Sequence, residues 1–140
     1  MVWGCKKMKK IFFGVLFLLV FLVGCGDTEP KISGYATANL EKQTIKNGET
    51  TQLNVKGFNN GNAPVKVHFE FATDKPEAVK LSYPANLEFV LQPGEDTGNR
   101  RVSVQAFTDT IRTDYLIVAK LVDESGKIVY STNTILSVIK

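Results

Sequence analysis

Residues 65 to 71 read VKVHFEF, and the strict alternation of that run is the feature any fold of this chain must accommodate. Val65, Val67, Phe69 and Phe71 fall on one side of an extended backbone, with Lys66, His68 and Glu70 on the other. A period of two buries one face of a strand and leaves the other wet; a helix would scatter the same apolar residues around its axis. The pattern recurs with Thr51, Leu53 and Val55 inward in TQLNV, Leu87, Phe89 and Leu91 in LEFVL, and Val102, Val104 and Ala106 in RRVSVQAF. Beyond the first 24 residues no segment sustains a helical period over three turns.

The punctuation between these runs agrees. Asn47-Gly48, Asn59-Asn60-Gly61-Asn62, Pro93-Gly94, Gly98-Asn99 and Ser125-Gly126 are turn formers, because Gly and Asn tolerate backbone conformations that other residues resist. Seven or eight strands are expected, over 34–40, 50–58, 64–72, 78–83, 86–92, 100–107, 113–123 and 127–139. That count with regular turns predicts an all-β, immunoglobulin-like antiparallel sandwich of two sheets. YLIVAKLV, residues 115 to 122, is apolar on both faces except at Lys120 and so suits a central strand. Tyr115 opens that strand, where its placement resembles the tyrosine corner of immunoglobulin-like and fibronectin-type domains; an ordinary core tyrosine is the competing reading.

The first 24 residues are of another kind. Lys6, Lys7, Lys9 and Lys10 form a charged start, and Ile11 to Val23 are 13 residues of unbroken apolar character. A membrane-spanning helix needs about 20 such residues, so the run has the length of a signal-peptide core; an N-terminal transmembrane anchor is the alternative. MKKIFFGV is itself a well-formed signal start at Met8. The apolar run ends on Leu22-Val23-Gly24-Cys25, which resembles the lipobox of prokaryotic lipoproteins. The resemblance implies a cleaved Gly24–Cys25 bond, a diacylglyceryl thioether on Cys25, and extracytoplasmic attachment to the membrane of the cell envelope. One acyl chain holds a protein only marginally, whereas two give stable attachment. The expected organisation is a signal peptide over 1–24, a lipidated Cys and short tether over 25–31, and a sandwich domain over 32–140.

Charge and cysteine usage narrow the partners. The net charge of +3 arises in the leader: 17 basic residues less the four leader lysines leave 13, against 14 acidic residues that all follow Cys25. The mature part therefore has a net charge of −1 and lacks the basic excess that a phosphate-binding surface requires, so no nucleic-acid partner is expected. Cys5 and Cys25 are the two cysteines, and cleavage would separate them, so the domain must be held by burial without a disulfide.

Three further segments carry a second resemblance. FNNGNAPVKVHFEF, LQPGE at 91–95 and YLIVAKLVDESGK are similar to the corresponding turn and strand segments of the CARDB-like family of immunoglobulin-like modules. The resemblance covers most of the mature chain and implies a sandwich fold; it assigns no activity.

The sequence is poor in catalytic chemistry. His68 is the only histidine and lies on the polar side of its strand, where it reads as a solvated residue with a binding or pH-sensing role as the alternative. There is no Gly-x-Ser-x-Gly and no Gly-rich phosphate loop, and no pair of carboxylates stands out, so an enzyme is not expected and no cofactor is implied. Glu95 and Asp96 with Thr97 and Asn99, and Asp123-Glu124-Ser125, are oxygen-rich loops that make weak calcium candidates; ordinary turn formation is the competing reading. Of Arg100 and Arg101, one should face outward. The expected function is a lipid-anchored binding or envelope-structural module with a protein partner reached by loops or a strand edge. The alternatives are a carbohydrate- or other envelope-ligand-binding lipoprotein, for which Phe107 and Tyr83 are off-pattern candidates, and a small protease inhibitor.

Overall fold

Alternating residues form nine strands in the computed structural model, which describes residues 29–84, 87–108 and 114–140. The expected signal peptide, with Gly24 and Cys25, lies outside the described residues. The strands are β1 (Gly34–Leu40), β2 (Thr44–Lys46), β3 (Thr50–Asn59), β4 (Val65–Thr73), β5 (Val79–Ser82), β6 (Glu88–Leu91), β7 (Arg100–Ala106), β8 (Asp114–Asp123) and β9 (Ile128–Ile139). They make a four-stranded sheet in the order β1-β3-β7-β5 and a five-stranded sheet in the order β2-β9-β8-β4-β6. The architecture is an immunoglobulin-like β-sandwich, and the described residues contain no helix.

The strand beyond the expected seven or eight is β2, whose three residues, Thr44, Ile45 and Lys46, are too few to show a period. It pairs with β9 in parallel register, Thr44 opposite Ser137 and Lys46 opposite Ile139, in a sandwich whose other strand pairs among the described residues are antiparallel. Between β1 and β2 the chain crosses from one sheet to the other, and Ile45 arrives buried in the core.

The core is filled as the alternation requires. Leu53, Val55, Val102, Val104 and Ala106 project from the four-stranded sheet and are fully buried. Val67, Ile117, Leu121 and Leu136 meet them from the five-stranded sheet. Each such side chain contributes about 1.5–3 kcal/mol of transfer free energy, and the domain has no disulfide to supplement it. β8 lies third of five in its sheet, as a strand with apolar residues on both faces should, although Leu116 remains exposed. Leu87 departs from expectation: it is exposed because it precedes β6 and never enters the ladder with β4. Phe71, also expected inward, is half-buried near the end of β4.

The inward position of β3 between Val55 and Asn59 is Gly57. A Cβ there would stand 2.9 Å from Leu121 Cδ1 and 3.2 Å from Phe69 Cζ, so the facing sheet already occupies its room. Gly57→Val should therefore cost about 1–3 kcal/mol by overpacking, and Leu121→Ala about 2–5 kcal/mol by leaving a cavity. Combining them should cost less than the sum, since the added methyls enter the vacated space. Urea denaturation of the two single variants and the double variant measures all three quantities.

Candidate functional site

Three loops gather at one end of the sandwich. Register places them together: β1 begins opposite the end of β3, with Gly34 facing Asn59. The end of β6 and the end of β8 lie beside the start of β4, with Leu91 facing Val65 and Asp123 facing Val67. The loops are therefore residues 60–64, 92–99 and 124–127.

Asn59 organises this end. Its side chain is 1% exposed, and Nδ2 donates to the carbonyls of Ala63 and Leu91, both at 2.9 Å. Oδ1 accepts from the Gly61 amide at 2.9 Å. Its own main-chain N–H donates to Glu95 O at 2.9 Å, and its carbonyl accepts from Gly94 N at 2.8 Å. One buried amide thus joins the loop that follows β3 to the Pro-Gly turn that follows β6. The chain reaches β1 through the same loop: Lys31 N donates to Asn62 Oδ1 at 2.6 Å, Asn62 N to Lys31 O at 3.2 Å, and Asn60 N to Ser33 O at 3.1 Å. Gly61 lies so close beneath Lys31 O that a Cβ would collide with it.

The acidic residues of these loops are engaged in shaping turns. Glu95 Oε2 accepts from Gln92 N at 2.8 Å. Asp96 takes the Gly98 amide at 2.7 Å on one oxygen and Lys56 Nζ at 2.8 Å on the other. Its carboxyl is held below the ordinary range, chiefly by the Lys56 hydrogen bond. Asp123 is buried and accepts on one oxygen from Ser125 Oγ at 2.6 Å and from the amides of Ser125 and Lys127 at 2.9 Å each. The Ser125 hydroxyl is the main cause of its lowered carboxyl pKa. Thr97 is buried as well, and its hydroxyl accepts from Gly57 N at 3.0 Å. Among the described residues no group of three His, Cys, Asp or Glu side chains is gathered.

The remaining candidates are placed by the sheets. His68 sits on the outer face of β4, its Nε2 3.3 Å from Glu70 Oε1, beside the Lys66–Glu88 ion pair. Arg101 is exposed, while Arg100 lies half-buried with its guanidinium 4.8 Å from the Phe89 ring and Nε donating to Thr97 O. Tyr115 is buried and its hydroxyl donates to Thr108 Oγ1 at 2.9 Å, seven residues back along the chain. Phe107 is exposed. Tyr83 is not a solvent platform: it packs edge-on against Phe69 and Phe71, and burial pushes its phenol pKa up. Its hydroxyl has no hydrogen-bond partner among the described residues.

The exposed aromatic surface lies elsewhere. Tyr35 and Phe58 stack across β1 and β3 on the outer face of the four-stranded sheet, with centroids 4.3 Å apart, and Lys56 Nζ lies 4.9 Å from the Phe58 ring. Sequence reasoning passed over this pair, although counting by twos from Leu53 through Gly57 puts Phe58 outward. Asn39, Asn54, Gln52 and Ser103 share that face with the charged Lys56 and Arg101, Arg101 lying directly opposite Asn54.

No protein-family model matches the sequence, and no curated protein sequence matches it. Solved structures do share the fold. The sporulation control protein Spo0M of Bacillus subtilis superposes with a TM-score of 0.56 and 17% identity over 77% of this chain, which spans 50% of Spo0M. The CARDB domain of a Pyrococcus furiosus protein, solved in complex with di-metal ions, gives 0.54 and 15% identity over 78% of this chain and 93% of its own length. A FixG-related protein from Vibrio parahaemolyticus gives 0.57 and 12% identity, covering 76% of this chain and 97% of that one. The fold is CARDB-like, as the segment resemblance implied.

Two variants test the construction of this end. Asn59→Ala strands buried carbonyls and an amide, and should destabilise the domain by about 2–4 kcal/mol, since each unpaired buried group costs about 1–3. Asp123→Ala should destabilise the domain at neutral pH. Because the folded carboxyl pKa is below its ordinary 3.8, the wild-type advantage is present above that value and disappears as pH falls through the folded value. Denaturation midpoints of wild type and variant should therefore converge on acidification below pH 3.8.

Proposed function

We propose that the chain is a lipid-anchored, extracytoplasmic module of the cell envelope that acts by binding a protein partner near the membrane surface, without catalysis. The observation that carries this reading is Leu22-Val23-Gly24-Cys25 at the end of a 13-residue apolar run, followed by the short polar segment GDTEPK. A sandwich that begins six residues after the anchored Cys works within reach of the lipid surface. Its loops and sheet faces supply binding surface in the way such modules commonly do.

The Pyrococcus furiosus domain was solved with di-metal ions. Glu95, Asp96 and Asp123 each direct a carboxylate oxygen to their own turn, and the proposed function includes no metal. A second reading, binding of an envelope carbohydrate, is favoured by the stacked Tyr35–Phe58 pair, which shares a sheet face with the amide side chains of Asn39, Gln52 and Asn54. Sugars present apolar ring faces and hydroxyls, which match rings and amides side by side.

Fractionation of the producing cells tests the anchor. Native protein should partition with membranes, and its N-terminal peptide should begin at a diacylglyceryl-modified Cys25; Cys25→Ala should be released from the membrane or retain its leader. An intact leader with an unmodified Cys25 in the membrane-extracted protein would refute this reading. Crosslinking in intact cells then separates the two ligands: a discrete protein lost in Cys25→Ala supports the module with a protein partner. Glycan retention by the purified domain, lost in Tyr35→Ala, supports the carbohydrate reading.

A further inference from the structure

The loop end built on Asn59 is also the end at which the chain joins the domain. We propose that the sandwich stands end-on to its membrane, with the loops around Asn62, Gly94 and Glu124 turned to the lipid headgroups. The loops around Glu41, Gly48 and Lys75 are then held away, as the surface open to partners. This inference rests on anchoring at Cys25 and adds to it an orientation and two distinct working ends.

The argument is one of lengths. From Cys25 to Lys31 is six residue steps, and an extended chain covers at most about 20 Å in that distance. β8 has ten residues and runs from one end of the sandwich to the other, which is about 33 Å. An inverted domain would require the tether to climb the full height of the sandwich, and it is too short. Lys31 does not swing freely, because Asn62 holds its amide at 2.6 Å and Gly61 packs directly beneath its carbonyl. The chain is therefore gripped at the foot of β1, which fixes the point at which the tether meets the domain. Nor does charge draw the domain down on its side. The mature chain carries 13 basic and 14 acidic residues, so it has no basic excess with which to lie down on a negative membrane surface. The length of the tether sets the pose even though Glu95, Asp96 and Glu124 lie at the near end. On the outer face of β4 and β6 the cation Lys66 is already paired with Glu88 at 2.8 Å.

The mature chain offers a clean way to measure this, since it has no cysteine after Cys25. Glu124→Cys and Lys75→Cys place a single thiol at either end, and both positions are exposed. Each lipidated variant is labelled with a fluorophore and reconstituted in phosphatidylethanolamine–phosphatidylglycerol vesicles containing a headgroup-nitroxide lipid. The label at residue 124 should be quenched severalfold more strongly than the label at residue 75. Adding Asn62→Ala, or the more disruptive Gly61→Val, should shrink that contrast while far-ultraviolet circular dichroism remains that of the folded sandwich. Equal quenching at the two positions, in protein that floats with vesicles and carries the lipid on Cys25, would overturn the orientation and leave the anchoring intact. Protein that neither floats nor carries a lipid would overturn the anchoring and the orientation with it. Full contrast retained in both Asn62→Ala and Gly61→Val would overturn the gripping of Lys31 as its cause.

Discussion

A single uncharged amide holds together the end of the sandwich on which the other loop contacts depend. Asn59 is buried, and its side chain donates twice and accepts once. No other small side chain meets that demand: a carboxylate cannot donate, and a hydroxyl has one proton to give. Burial strengthens the requirement, because a polar atom without a partner in the interior carries its full desolvation cost. With the amide in place, the turn after β6 and the loop after β3 become one structure. Lys31 and Ser33 then have a fixed surface to bond to. Thr97 performs a smaller version of the same task, joining the Gly98 turn to Gly57.

The rest of the domain is held by less specific means. The ion pairs Lys56–Asp96 and Lys66–Glu88 are short, but both lie at the surface, where such pairs contribute little. Apolar burial between two sheets supplies the stability, and its requirement is one of volume and alternation. The position of Gly57 shows how closely that volume is filled. A position that could have carried a β-branched residue carries none, because Leu121 and Phe69 reach across from the other sheet.

This division explains which parts of the molecule could be read directly from the chain. Strands that bury one face announce themselves by period two, and Leu53, Val55, Val102 and Val104 lie where that period puts them. β2 left no such trace: three residues have no measurable period, and its pairing with β9 is set by a crossing between sheets. Leu87 and Tyr83 were misplaced because apolar character was counted without knowing where a ladder starts or which ring another ring would cover. The loop residues present the same difficulty in sharper form. Glu95, Asp96 and Asp123 have the composition of a cation site and the geometry of turn supports, and composition alone does not distinguish an oxygen that faces a ligand from one that accepts its neighbour's amide. Asn59 looked like one of four turn formers in NNGN, and it does bond Gly61 and Ala63, yet its partners Leu91, Gly94 and Glu95 are far away in sequence.

The way in which β1 is attached has a mechanical consequence. β1 starts beside Lys31 and runs along the length of the sandwich, paired with β3 from Gly34 opposite Asn59 to Leu40 opposite Leu53. Ladder bonds lie perpendicular to the strands. A pull delivered through Lys31 along the axis of β1 therefore strains all the rungs of that ladder together instead of opening them one after another. Beyond β1, the parallel β2–β9 pair would be loaded in the same lengthwise manner. A domain tethered in this way resists traction by shear, and its first seven-residue strand serves as a strap as much as a part of the sheet.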